Sequence, residues 1–225
     1  MKTKYNTNRT DQFNGDLNWG KWGESTMWPW IENFFTRGGK KLSYWYDSDY
    51  EVSSLNLKGL EKKKMLKSYD LKFGLYYGNK IFCEKEIKFE IKTDKYANTG
   101  NLAFEYKDNG VESGVFTTTA EYFIYFMPRF ETDNIYIIKS EKLKNLLSEE
   151  KWNMYFHYGG DIGKTLNFII PKNEFDSHFI ASGGKIETIT DVSIPSEFGL
   201  SRFNENGKVV YHGTTLKKYD DDLNF

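Results

Sequence analysis

The sequence predicts an α/β fold, a mixed β-sheet flanked by helices, on three observations. Residues 80–93 alternate strictly, with Ile87, Phe89 and Ile91 on one face and Glu86, Lys88, Glu90 and Lys92 on the other. That period of two is the mark of a half-buried strand. The aromatic-rich run from Trp19 to Thr36 ends at Gly38-Gly39, a helix stop. Leu143, Leu146 and Leu147 follow Ser140 at helical spacing, with Glu141 in the first turn favouring the positive end of the helix dipole.

Taken in order, residues 1–15 are polar and read as a flexible N-terminal arm. The first helix follows, with Pro29 expected to break or kink it, or to open a second one. A charged segment from Leu55 to Lys67 precedes a strand over Asp70 to Tyr77, which is rich in Leu, Phe and Tyr. Gly78-Asn79 reads as a tight turn into the alternating strand, and Leu102 to Tyr106 as a third strand. Three consecutive strands imply an antiparallel meander. Thr117 to Thr119 are expected to cap a helix from Ala120 to Met127, stopped by Pro128. Asn134 to Lys139 is a strand, Ser140 caps the next helix, and Leu166 to Ile170 is a strand closed by Pro171. The tail is polar, ends near Asp220-Asp221-Asp222, and reads as a peripheral extension over 172–225.

Composition narrows the class. The 225 residues suit one domain or one domain with an appendage, and 39% hydrophobic with 18% aromatic side chains suffices for a sizeable core. Lys plus Arg number 31 against 32 Asp plus Glu, so any nucleic-acid surface must be a local patch. Cys83 is the only cysteine, which excludes an intramolecular disulfide and argues against a thiolate zinc cluster. No apolar stretch approaches the roughly 18 residues of a membrane span, and no signal core follows the N-terminus. The expectation is a cytoplasmic protein without membrane partners, in a host cytoplasm if the gene is viral.

Glu90-Ile91-Lys92 places a carboxylate and an ammonium on one strand face, since residues two apart project together. Asp70 opens the neighbouring strand of the same hairpin and can sit beside Glu90. Glu24, on the first helix, can add another group. Such a set suits phosphodiester hydrolysis, in which a hard cation held by oxygen ligands activates water and a lysine stabilises developing charge. The spacing is not specific. Glu86-Ile87-Lys88 repeats it on the same strand, and a solvated face of alternating charge would look the same.

A longer pattern separates them. Phe89-Glu90-Ile91-Lys92-Thr93-Asp94, then Thr99-Gly100-Asn101-Leu102-Ala103-Phe104-Glu105, resembles a pattern of phage and bacterial nucleases of the restriction-endonuclease-like PD-(D/E)xK superfamily. The similarity continues through Ser113-Gly114-Val115, Thr117 to Ala120 and Tyr122, and more loosely to Gly159-Gly160-Asp161 and Phe168 to Pro171. At the front, Asp16, Trp19-Gly20 and Gly23-Glu24 resemble the family's first helix.

The resemblance covers about Asp16 to Pro171. It implies a restriction-endonuclease-like core over 16–171, with 42–67 as an insertion between Glu24 and Asp70. It favours Glu90 and Lys92 over Glu86 and Lys88, and identifies Asp70 as the signature aspartate although no proline precedes it. The implied catalytic set is Glu24, Asp70, Glu90 and Lys92, with Asp70 and Glu90 as ligands of Mg²⁺, for which Mn²⁺ would substitute.

The implied activity is a DNA endonuclease, with RNA left open in place of DNA and a Holliday-junction-resolvase-like enzyme as a variant. The alternative is an inactive nuclease fold that binds nucleic acid or a protein as an accessory factor. A homodimer would suit double-strand cutting. Lys62, Lys63 and Lys64 are candidates for phosphate contact, as are Thr117 and Thr118 at a helix N-terminus. Trp19, Trp22, Trp28, Trp30 and Trp45 are better read as core than as base-stacking platforms; His157 is a candidate general base or metal ligand, but ordinary loop roles are the better reading for it and for His178 and His212. Asp94 can reach the site or serve a turn.

Overall fold

The computed structural model describes residues 7–66, 68–77, 85–128, 133–149, 155–159, 165–189 and 192. A 29-residue helix α1 (Thr7–Phe35) leads into strand β1 (Lys40–Asp47) and two short helices, α2 (Ser48–Ser54) and α3 (Gly59–Leu66). Strands β2 (Leu71–Tyr77), β3 (Lys85–Thr93), β4 (Asn101–Asp108), β5 (Val111–Glu112), β6 (Tyr122–Met127) and β7 (Asp133–Lys139) follow. Helix α4 (Ser140–Ser148), strands β8 (Tyr155–Gly159) and β9 (Thr165–Pro171), helix α5 (Lys172–Ala181) and strand β10 (Lys185–Ile189) complete the fold.

Six strands form a mixed sheet in the order β1-β2-β3-β6-β7-β10, in which only β3 and β6 run parallel. A four-stranded antiparallel sheet has the order β5-β4-β9-β8. The fold is therefore mixed α/β, with helices flanking a mixed sheet.

Each face of the large sheet has its own core. On one face, Met27, Trp30, Ile31, Phe34 and Phe35 of α1 pack on Phe73, Phe89, Ile124 and Ile137. On the other, Phe123, Tyr125, Tyr136 and Ile138 meet α4, α5 and the small sheet. Burying each large apolar side chain contributes about 1.5–3 kcal/mol, which commits both faces. Trp19 and Trp30 are buried and Trp22 and Trp28 pack partly buried, the core role expected of them; the Trp45 side chain lies outside the described residues.

Several expectations are corrected. Residues 7–15 belong to α1 and are not an arm; residues 1–6 lie outside the described residues. Pro29 neither ends α1 nor opens a new helix. It is exposed, while Met27, Trp30 and Ile31 anchor the chain around it, so packing offsets the lost hydrogen bond.

The segment 42–67 is no simple insertion, because β1 pairs with β2 along its length as an edge strand of the large sheet. The meander also fails: the strand after β3 joins the small sheet, and β6 takes its place beside β3. The helix expected from Ala120 is the strand β6, buried at every position. Tyr122-Phe123-Ile124-Tyr125-Phe126-Met127 is a short, continuous, aromatic-rich apolar run covered on both faces, and its periodicity does not separate such a strand from a buried helix.

Ser140 is the first residue of α4 and not its cap. Its amide donates to Glu121 O at 3.0 Å, and Lys139 holds the cap position. Beyond Pro171, α5 packs Phe175 and Phe179 into the core, and β10 adds an edge strand beside β7. Up to Ile189 the tail is therefore structural, and 193–225 lie outside the described residues. The same is true of the Gly78-Asn79 turn. Among the described residues no helix is long and apolar enough to cross a membrane.

Candidate active site

Antiparallel pairing of β2 with β3 sets Leu71 opposite Phe89, so Asp70 comes to the start of β2 level with Glu90. Two backbone bonds fix it there. The Asp70 amide donates to Phe89 O at 2.8 Å, and Asp70 Oδ2 accepts the Ile91 amide at 2.6 Å. The same alternation that buries Ile87, Phe89 and Ile91 turns Glu90 and Lys92 to the opposite face. Lys92 is exposed and Glu90 half-buried.

Glu24 arrives from α1 by close packing. Trp19 Nε1 donates to Thr93 O at 3.2 Å, and Gly23 lies flush against Thr93, where a Cβ would overlap the threonine side chain. Absence of a side chain at Gly23 thus lets the helix settle on the end of β3 and brings the next residue, Glu24, to Asp70. Glu24 and Asp70 line one cleft of about 470 Å³, together with Lys21, Asp47, Asp49 and Leu66.

The charges of these groups act on one another. Burial pushes the Glu24 carboxyl up to about 8, and the Asp70, Asp47 and Asp49 charges push the same way against Lys21. Burial raises Asp70 to about 6, against the Ile91 amide and the Lys92 ammonium. Glu90 rises well above the carboxylate range through burial and then the Asp70 charge; the Thr118 hydroxyl and Lys92 oppose this, and Glu24 adds to it. Three carboxylates and one lysine therefore share one electrostatic field.

The two Glu-x-Lys triplets differ in their surroundings. Glu86 is tied up by Lys72 at 3.6 Å, Lys88 at 3.9 Å and the Tyr44 hydroxyl at 2.9 Å. Lys72 is buried and also paired with Glu51 at 2.9 Å. That triplet belongs to a salt-bridge network, whereas Glu90 and Lys92 face Asp70.

The threonines do not begin a helix, so the helix N-terminus expected at Thr117 and Thr118 is absent. Thr117 is exposed and its hydroxyl donates to Gly114 O at 3.3 Å. Thr118 is buried, with Glu90 Oε2 at 2.9 Å and Ser68 O at 3.0 Å from its hydroxyl. Lys62 is exposed on α3, which borders the cleft through Leu66; the side chains of Lys63 and Lys64 lie outside the described residues.

Asp94 is buried in a turn, accepting from the Tyr96 amide at 2.7 Å and the Tyr125 hydroxyl at 2.8 Å. His178 lies on the helix α5 and not in a loop, where it is exposed, while the side chain of His157 and all of His212 lie outside the described residues.

Sequence reasoning missed Asp47, Asp49 and the bond from Thr118 to Glu90. The aromatic run Tyr44-Trp45-Tyr46 signals a strand, and the Asp47 register opposite Leu71 brings Asp47 to the wall of the cleft that Asp70 lines, where its charge reaches Glu24. No comparable signal marks Thr118, whose partner is 28 residues away.

Among the described residues no group of three or more His, Cys, Asp or Glu is arranged as a ready-made metal cage. The Asp70 and Glu90 pair offers oxygen donors only. Comparison with family models, curated proteins and solved structures finds no match to this chain.

Proposed function

We propose that this chain is a metal-dependent nuclease of the restriction-endonuclease-like PD-(D/E)xK type, hydrolysing phosphodiester bonds in DNA. The observation that carries the reading is the meeting of Glu24, Asp70, Glu90 and Lys92 at one end of β3, where the Asp70 charge reaches both glutamates and the Lys92 charge reaches Asp70 and Glu90. Carboxylates gathered in a half-buried setting are costly to ionise unless a cation compensates them.

The donor set fits Mg²⁺, with Mn²⁺ substituting. Asp70 and Glu90 would hold it, since Mg²⁺ usually takes one or two carboxylates and keeps several waters. When bound, the cation supplies charge compensation at phosphate and activation of water. Lys92 orients the attacking water and stabilises charge that builds on the phosphate oxygens. Glu24, with its pKa near 8, can hold or release a proton at the cleft around neutral pH. The Ile91 amide fixes the Asp70 carboxylate, and the Thr118 hydroxyl orients Glu90.

The test is cleavage of duplex, single-stranded and four-way-junction DNA, and of RNA, with Mg²⁺ and then with EDTA. Wild type is expected to cut with the cation only, while Asp70→Asn and Glu90→Gln are inert yet bind DNA in EDTA at least as tightly as wild type. If wild type cuts no substrate with Mg²⁺ or Mn²⁺ and all three proteins bind alike, the chain is a nucleic-acid-binding module.

A further inference from the structure

The cleft of about 470 Å³ that Glu24 and Asp70 line also has apolar walls, made by Leu17 and Trp28 of α1, Leu66 at the end of α3 and Leu71 at the start of β2. Leu17 is 48% exposed, and Trp28 and Leu66 are half-buried, so apolar surface stays open to the cleft. The core holds Trp28 in place, with its ring edge-on to Phe73 at 5.9 Å between centroids. Leu17, Lys21, Glu24 and Trp28 recur at helical spacing, so one face of α1 supplies both an apolar wall and a carboxylate. Across from β1, the Ser48 amide donates to Asp70 O at 3.1 Å and ties the start of α2 to the start of β2.

Sheet order places this cleft relative to the other groups. Strand β2 lies between β1 and β3. The cleft takes Asp47 from the end of β1 and Asp70 from the residue before β2, while Glu90 and Lys92 stand on β3. Asp70 therefore belongs to both, and a phosphate held at Asp70, Glu90 and Lys92 has the cleft beside it on the β1 side. The cleft itself disfavours phosphate. The Asp47 and Asp49 charges reach Glu24 within it, and Lys21, the one cation lining it among the described residues, is paired with Asp49 at 3.5 Å. The part of a nucleic acid that suits such a cleft is the uncharged one.

We propose that the cleft receives a single unpaired nucleobase next to the scissile phosphate, so that the substrate is DNA carrying an unpaired nucleotide at the cut. The position of that phosphate rests on the nuclease reading. A base has flat faces for Trp28 and the leucines, no net charge, and polar edge groups that can meet carboxylates. Stacking of this kind tolerates any base, because every base has a π-face. The volume is that of a small-molecule site. A paired and stacked base cannot enter a cleft walled by α1, β1, α2, α3 and β2 without leaving the duplex, and extrusion costs least where the base is already unpaired.

The full-length chain is given three duplexes of one sequence: fully paired, with one unpaired nucleotide, and with an unpaired abasic site at the same position. Binding is read by fluorescence anisotropy in EDTA, and cleavage with Mg²⁺. The duplex with the unpaired base is expected to bind about tenfold more tightly than either of the others. With Mg²⁺ it should be cut at a phosphate adjoining the unpaired nucleotide. The Leu17→Ala/Leu66→Ala double variant, if its unfolding midpoint matches wild type, should lose the preference and cut the fully paired duplex as wild type does. In wild type, the methyl NMR signals of Leu17 and Leu66 should shift with the base-bearing duplex and not with the abasic one, a readout independent of any variant's folding. Equal affinity for the base-bearing and abasic duplexes, unmoved leucine signals, a preference that survives in the double variant, or cutting away from the unpaired base would each overturn the proposal. Cleavage without the preference leaves the nuclease reading standing and removes this one. The preference in EDTA without cleavage of any substrate removes the nuclease reading and keeps the cleft as a base-binding site.

Discussion

The Thr118 hydroxyl stands 2.9 Å from Glu90 Oε2 and 3.0 Å from the Ser68 carbonyl, and it has one proton to give. Ser68 O also accepts from the Thr119 amide at 2.9 Å and the Thr119 hydroxyl at 3.1 Å, so it can spare Thr118. When Glu90 is protonated it can donate to Thr118, which then donates to Ser68. When Glu90 is ionised, Thr118 turns its proton to the carboxylate. The hydroxyl therefore serves both states of Glu90.

Replacing Thr118 with the isosteric valine removes that adaptable partner and raises Glu90 further. A hydrogen bond to a charged group contributes about 1.5–3 kcal/mol, so apparent Mg²⁺ affinity should fall roughly 10- to 100-fold. The acid limb of the cleavage pH profile should move to higher pH, and Thr118→Ser should recover most of both. An unmoved pH profile in Thr118→Val would rule out a positioning role.

Lys92→Ala is expected to abolish cleavage with little change in folding or DNA binding, because its charge matters most in the transition state. Lys88→Ala should cut within a few-fold of wild type, since Lys88 belongs to the Glu86 and Tyr69 surroundings. Single-turnover rates of the two variants decide it. An inactive Lys88→Ala beside an active Lys92→Ala would transfer the assignment to the other triplet.

Gly23→Ala should both destabilise the chain and impair the site, because its Cβ overlaps Thr93 and must push α1 off β3. Overpacking of this kind costs about 1–3 kcal/mol. Chemical denaturation measures the loss. Gly20→Ala, on the same helix with open space around it, serves as the control and should leave stability and cleavage near wild type.

Stability should fall as pH rises through the neutral range when no divalent cation is present. The Glu24 carboxyl rises from 4.5 to about 8 through burial and then the Asp70 charge, and Asp70 from 3.8 to about 6 through burial. Between its unfolded and folded pKa, each group holds more proton in the folded chain, so raising pH favours unfolding. The slope is at most about 1.4 kcal/mol per pH unit for each group. Unfolding midpoints in EDTA should therefore decline from pH 5 to pH 8, Mg²⁺ should reduce the decline, and Glu24→Gln should flatten it. A midpoint that rises over that interval in EDTA contradicts this arrangement of carboxylates.

The sequence by itself determined the local alternation of β3, and with it the sharing of one face by Glu90 and Lys92, because strand period is a property of the backbone. It also determined the helical character of Trp19 to Phe35, the Gly38-Gly39 stop and the leucine-spaced helix after Ser140, all read from spacing within a few turns. Tertiary structure decided the rest. Whether Tyr122 to Met127 is strand or helix depends on its being covered on both faces, and an apolar run reads alike in either state. The pairing of β3 with β6, the edge positions of β1 and β10, and the diversion of β4 to a second sheet depend on which apolar faces find each other across the chain. Proximity of Asp70 to Glu90 follows from one hairpin and was legible. The meetings of Glu24 with Asp70 and of Thr118 with Glu90 were not geometrically derivable, because a missing Cβ at Gly23 and a buried hydroxyl act through neighbours 70 and 28 residues away in sequence.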